Sequence, residues 1–150
     1  MKVTEVEFGS PGYEAALQLR KRILRDPLGL EWTAEEEAWE PRERHFVLLG
    51  EGGQLHACVV IRPLEEQAGA VKLRQMAVEP DCQSRGFGRA LVECVEAQLI
   101  RDQVGRVELN ARDTAVGFYE KLGYRKSGEE FVEVTIPHWK MVKDLAPDGL

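Results

Sequence analysis

Seven consecutive residues, Gln83-Ser84-Arg85-Gly86-Phe87-Gly88-Arg89, carry the strongest chemical signal in the chain. They stand between an apolar segment that reads as a strand and a periodic segment that reads as a helix. At a helix entrance several backbone N–H groups lack intrahelical partners and converge on one point, which makes an anion site. Gly86 and Gly88 let the backbone bend tightly and approach phosphate oxygens, while Arg85 and Arg89 can add charge-assisted hydrogen bonds. A diphosphate suits such a site. A lone GxG also serves as a plain turn into a helix, so the weight falls on its surroundings. A dinucleotide fingerprint would need GxGxxG with an acidic residue about twenty positions on, and a P-loop would need GxxxxGK followed by Ser or Thr. Neither occurs.

The elements that must position this loop follow from periodicity. Lys2 to Phe8 alternates as a first strand, ended by Gly9-Ser10-Pro11-Gly12. Tyr13 to Arg25 places Ala16, Leu19 and Ile23 at helical spacing, and Pro27 and Gly29 stop it. Leu28 to Arg44, with Trp32, Trp39 and Glu35-Glu36-Glu37, is open between a short helix and an ordered loop over a cleft. His45 to Leu49, then Gly50-Glu51-Gly52-Gly53, then Leu55 to Ile61 spell a hairpin, and Val71 to Val78 extends it into an antiparallel meander. Pro80 closes that segment. Arg89 to Arg101 puts Leu91, Val95 and Leu99 on one helical face, and Arg106 to Asn110 favours a strand, so a right-handed parallel crossover is expected. Val78 and Asn110 then end neighbouring parallel strands. Thr114 to Leu122 reads as a second helix of this half, capped by Gly123, followed by strands at Tyr124 to Ser127, Glu130 to Ile136 and Lys140 to Lys143.

A chain of 150 residues with 43% hydrophobic content is expected to form a single domain, 1–150, around one core. With 26 acidic against 20 basic residues and a net charge of −6, binding to nucleic acid or to an anionic membrane is disfavoured, and cationic acceptors are mildly favoured. The three cysteines, Cys58, Cys82 and Cys94, are odd in number and lack CxxC spacing, so neither a disulfide framework nor a metal site is expected. No apolar run approaches the ~20 residues that cross a bilayer, and the N-terminus has no apolar signal core. The expected location is the cytoplasm.

The pattern Q-x-x-G-x-G after a strand ending Met76-Ala77-Val78-Glu79-Pro80 closely resembles the acyl-CoA signature of the GNAT superfamily of N-acyltransferases. Asn110 after the next strand and Phe118-Tyr119-Glu120-Lys121-Leu122-Gly123-Tyr124 look like the family's second helix and its F-Y-x-x-x-G-[FY] segment. Together these cover Val71 to Ser127, over a third of the chain. The tail Ile136-Pro137-His138 with Met141 is similar to a small subgroup related to the ElaA-like members. The resemblance implies an α/β (α+β) fold, a mixed and mainly antiparallel central sheet with a splayed parallel strand pair and helices on both faces.

It also implies roles, position by position. Met76, Ala77 and Val78 would hold the pantetheine arm of acetyl-CoA through open backbone groups. Gln83, Ser84, Arg85, Gly86, Phe87, Gly88 and Arg89 would hold its pyrophosphate. A backbone N–H near Met76 or Ala77 would stabilise the oxyanion that forms when an amine attacks the thioester. Tyr119 would protonate the departing thiolate and contact the cofactor, and Asn110 would contact the cofactor or an ordered water. An alkyl amine of pKa ~10.4 must lose a proton before it attacks, and Glu79 and His138 are the candidate bases. His138 is attractive for its unperturbed pKa of ~6.5, with the Ile-Pro-His segment folding back over the acceptor side. Arg20, Arg25, Trp32 and Arg74 are candidates to line the acceptor pocket. His45 and His56 look structural, since neither is near a motif in sequence.

The expected activity is therefore transfer of an acetyl group from acetyl-CoA to a primary amine, on a small molecule or a protein, by direct attack in a ternary complex. A homodimer is an assembly seen among the proteins it resembles. Two other readings remain open. Cys82 adjoins the loop and could accept an acyl group, although no histidine stands near it in sequence. A non-catalytic acyl-CoA-binding or sensing module would keep Gln83 to Arg89 but need no Tyr119.

Overall fold

The computed structural model describes residues 1–145. Strand β1 (Lys2–Val6) leads into helix α1 (Pro11–Arg20), whose Ser10 cap accepts a hydrogen bond from the Tyr13 N–H and whose first position is a proline, both favourable at a helix start. The expected helix to Arg25 continues only as a wide turn, Lys21–Arg25, closed by the Asp26 N–H on the Lys21 carbonyl. Pro27 and the left-handed Gly29 (φ 66°) then end it. The segment left open in the sequence contains helix α2 (Ala34–Trp39), set by a reciprocal capping box between Thr33 and Glu36.

The chain divides into two compact units, Met1–Arg62 with Arg74–Ala97, and Pro63–Leu73 with Gln98 onwards. In the first, β2 (Arg44–Leu49) pairs antiparallel with β1 and with β3 (Leu55–Pro63), which gives the expected hairpin. The end of β4 (Ala70–Val78) lies next in the sheet order. Ala16 and Leu19 of α1 pack on Val47, Cys58 and Ala77, one from each of three successive strands. The apolar stripe read from α1 is thus what fixes it to the sheet.

In the second unit, the start of β4 runs parallel to β5 (Arg106–Arg112), from Ala70 opposite Arg106 to Leu73 opposite Leu109. That is the parallel pair expected from the crossover. Strand β5 extends two residues past Asn110, so Asn110 sits within the strand, opposite Lys140. Helix α4 (Val116–Lys121) ends at the left-handed Gly123 (φ 96°). The tail forms β6 (Arg125–Lys126), β7 (Phe131–Glu133) and β8 (Ile136–Asp144). Strand β8 is antiparallel to β5, β6 and β7. Among the described residues the strands form an eight-stranded, mainly antiparallel sheet with one parallel pair. Ile136-Pro137-His138 does not fold back as a separate segment; it begins β8, because Pro137 falls opposite Val132 on the short hairpin arm.

Candidate functional site

Strand β4 is not regular. Gln75 has φ 52°, a left-handed value that a glutamine adopts at a cost of about 1–2 kcal/mol unless its surroundings impose it. The surroundings are a buried network within the first unit. Arg20 Nη1 donates to Gln75 Oε1 at 2.7 Å, and the same guanidinium forks onto Glu40 at 3.1 and 2.6 Å. The Tyr13 hydroxyl donates to Glu40 Oε1 at 2.8 Å, and His45 Nε2 meets the Glu40 carbonyl at 2.8 Å. Burial pushes the Glu40 carboxyl up, but the hydrogen bonds and charge of Arg20 outweigh it and hold the group below the usual carboxylate range. Burial and the Glu40 hydrogen bond push the Tyr13 phenol up. Arg20, expected to line a pocket, is buried in this network with 1% of its surface exposed. His45 is structural, as expected.

After Pro80 the chain makes a tight turn, Pro80–Cys82, and then the loop itself. Ser84 (φ 64°) and Gly86 (φ 81°) are both left-handed, a backbone that turns successive N–H groups toward one side. A Cβ at Gly86 would meet nothing within 4 Å, so glycine is needed there for its φ and not for space. Helix α3 (Phe87–Arg101) starts with the Ala90 N–H on the Gly86 carbonyl at 3.0 Å, which leaves the N–H groups of Phe87, Gly88 and Arg89 in the unpaired first turn. Gln83 straps the loop to the strand through Nε2 on the Val78 carbonyl at 3.2 Å. Arg85 Nη1 reaches the Asp81 carbonyl and its guanidinium lies over Phe87. Arg89 pairs with Glu93 along the exposed helix face.

Sequence reading missed His56. Its Nδ1 lies 3.2 Å from Cys82 Sγ, and its ring stacks on Phe87 at 4.9 Å and 4°. The His56 carbonyl also accepts the Glu79 N–H at 2.9 Å. One residue of β3 thus fixes the strand end, the turn and the first residue of α3. No histidine is near Cys82 along the chain, but His56 stands beside it in space. Burial, with the Asp81 charge, pushes the Cys82 thiol up, which works against thiolate formation there.

The other expected residues fall as follows. Glu79 is gripped by Arg22 at 2.8 and 3.4 Å. Arg25 is ion-paired with Glu36 and lies 4.6 Å over the Trp32 ring, whose buried Nε1 has no partner among the described residues. Arg74 and Arg62 both donate to Glu43 Oε2, at 2.9 and 2.7 Å. In the second unit, Tyr119 is 7% exposed and edge-on to Tyr124, and burial pushes its phenol well up. His138 is buried, with Nδ1 2.7 Å from the Ile136 carbonyl and Nε2 3.6 Å from Glu133. Among the described residues no helix is long and apolar enough to cross a membrane.

The kinked strand, the left-handed turn and the helix entrance belong to a mixed α/β domain. The chain belongs to the acetyltransferase (GNAT) domain family, whose model matches residues 30–145. The uncharacterized N-acetyltransferase YitI of Bacillus subtilis is 29% identical over 129 residues, covering 84% of this chain and 87% of YitI. Other Bacillus subtilis relatives match over shorter stretches, and the chain spans about half of their length. Among solved structures, Escherichia coli ElaA superposes with a TM-score of 0.78 at 19% identity, covering 95% of this chain and 99% of ElaA. An acetyltransferase of Bacillus subtilis crystallised with CoA gives 0.72 at 16%, covering 97% and 99%. The family resemblance read from the loop and the F-Y segment is borne out.

Proposed function

We propose that the chain transfers an acetyl group from acetyl-CoA to a primary amine by direct attack within a ternary complex. The observation that carries this reading is the loop: Ser84 and Gly86 left-handed, open space at Gly86, and three unpaired helix N–H groups beyond it. A diphosphate fits that set by charge and by donor count. Residues Gln83 to Arg89 hold the pyrophosphate, and Met76, Ala77 and Val78 present backbone groups to the pantetheine arm. Acetyl-CoA supplies an activated thioester. The N–H of Met76 or Ala77 stabilises charge developing on the carbonyl oxygen. The family resemblance gives Tyr119 the proton for the departing thiolate, a role open to a phenol because it is protonated at neutral pH. The raised thiol of Cys82 supports direct attack over an acyl-cysteine route.

The test combines calorimetry with CoA and thiol release from acetyl-CoA across a panel of amines. Binding with amine-dependent release is expected. Binding without release for any amine would leave only a CoA-binding module, and no binding would end the reading altogether.

A further inference from the structure

Arg62 and Arg74 come from different strands, β3 and β4, and converge on one carboxylate. Arg62 Nε and Arg74 Nη1 both donate to Glu43 Oε2, and the Glu43 side chain has no exposed surface. Two guanidinium charges on one carboxylate leave a net charge of about +1 in a half-buried place, on a chain whose formal net charge is −6. Each arginine spends one nitrogen on Glu43, and the two side chains stay partly exposed, at 18% and 17%. The Arg62 guanidinium lies 4.2 Å over the Trp39 ring, which restrains its plane. A restrained guanidinium that has given one nitrogen to Glu43 keeps further donors, and their planar fork matches a planar anion such as a carboxylate.

Position along β4 gives this charge a purpose. The loop at Gln83 to Arg89 takes the pyrophosphate end of the cofactor, and the arm runs back along Val78 and Ala77 toward Met76. The thioester therefore comes to rest near Met76, and Arg74 stands two residues back along β4, across the Gln75 kink. The acceptor must approach from that end. We infer that the acceptor is an amine that also bears a carboxylate, of the amino-acid type, and that Arg62 and Arg74 hold that carboxylate; this rests on the acetyl-transfer reading above. The acidic overall charge, which by itself favours polycationic acceptors, acts at longer range and is screened within about 8–10 Å in ordinary salt. A fixed pair of arginines beside the reacting end decides instead.

The experiment compares kcat/KM for free amino acids and for their matching carboxamides, with a polyamine as a third acceptor. Amino acids are expected to be preferred at least tenfold over the carboxamides, the worth of a charge-assisted hydrogen bond. The preference should shrink as salt is raised. Arg74→Gln and Arg62→Gln should each lower kcat/KM for the amino acids about tenfold more than for the carboxamides, with CoA affinity by calorimetry reporting that the variant is folded. A purely structural role would lower both acceptor sets equally. Transfer that ignores the carboxylate, or a preference for the polyamine, overturns this inference and leaves the acetyl-transfer reading standing. Transfer to no amine overturns both.

Discussion

Arg20 and Gln75, 55 residues apart in the chain, meet through a 2.7 Å hydrogen bond that holds Gln75 in a left-handed conformation inside a strand. The kink comes one residue before Met76, where the proposed oxyanion donor begins. A buried ion pair thus shapes the backbone beside the proposed oxyanion donor.

The contributions of this pair separate cleanly by mutation. Arg20→Met leaves the Glu40 carboxylate buried without its guanidinium, and should cost about 3–5 kcal/mol. Gln75→Gly gives up one hydrogen bond to a charged group, about 1.5–3 kcal/mol, but removes about 1–2 kcal/mol of left-handed strain. Its net effect should stay within about 2 kcal/mol. Urea unfolding of the two variants checks the order, and equal losses would mean that Gln75 is not strained.

The same network sets the acid limit of stability. Glu40 and Glu36 are both desolvated, which raises their pKa values, and both are held below the usual range by Arg20 and Arg25 respectively. A depressed folded pKa stabilises the fold above the unfolded value of about 4.3, and that stability is lost as pH falls through the folded values. Unfolding free energy should therefore be insensitive to these groups near neutrality and decline below about pH 4. Glu40→Gln should be less stable than the parent at pH 7, and the gap should close on acidification. A gap that stays constant with pH would show that Glu40 is not charged in the fold.

Some of this organisation was legible in the sequence. The loop, the hairpin, the parallel crossover and the F-Y helix each announce themselves through local pattern and turn chemistry. The Thr33-x-x-Glu36 capping box was equally visible and marks the start of α2 in the segment left open. The kink was not legible, because nothing in a glutamine between Arg74 and Met76 favours a positive φ; a side chain from α1 imposes it. Arg20 looked like a pocket arginine since its partner Glu40 is twenty residues away. His56 escaped for the same reason, being tied to a loop 26 residues on. Long-range pairs of this kind leave no periodic trace.

The phosphate loop separates backbone from binding. Because a Cβ at Gly86 meets open space, Gly86→Ala should cost only the left-handed penalty of about 1–2 kcal/mol. Gly86→Glu should add a carboxylate beside the proposed pyrophosphate and abolish CoA binding with the fold retained. Ser84→Gly should stabilise the protein by about 1 kcal/mol, since φ 64° suits glycine. Thermal unfolding and calorimetry together check all three. Normal CoA affinity in folded Gly86→Glu would remove the loop from the site.

The turn between β7 and β8 offers an independent measure of stored strain. Val134 and Thr135 are β-branched, yet have φ values of 44° and 64°. Two positive φ angles in a tight hairpin call for Asn-Gly, the sequence that adopts them at least cost. The double replacement Val134→Asn with Thr135→Gly should raise stability by about 1–3 kcal/mol. A neutral or negative change in urea unfolding would show that the β-branched pair is not strained there.

Tyr119 tests chemistry apart from binding. Its ring is packed edge-on to Phe118 and Tyr124, so the aromatic body survives in Tyr119→Phe and only the hydroxyl is lost. No hydrogen bond to the thioester is needed for cofactor affinity, so CoA binding should change less than threefold. A leaving thiolate without its proton donor slows the bond-breaking step, and general-acid catalysis of this kind is worth about 10²–10⁴ in rate. Single-turnover transfer should therefore fall by at least tenfold while the dissociation constant holds. An unchanged single-turnover rate would assign Tyr119 to packing alone and send the leaving-group proton to water.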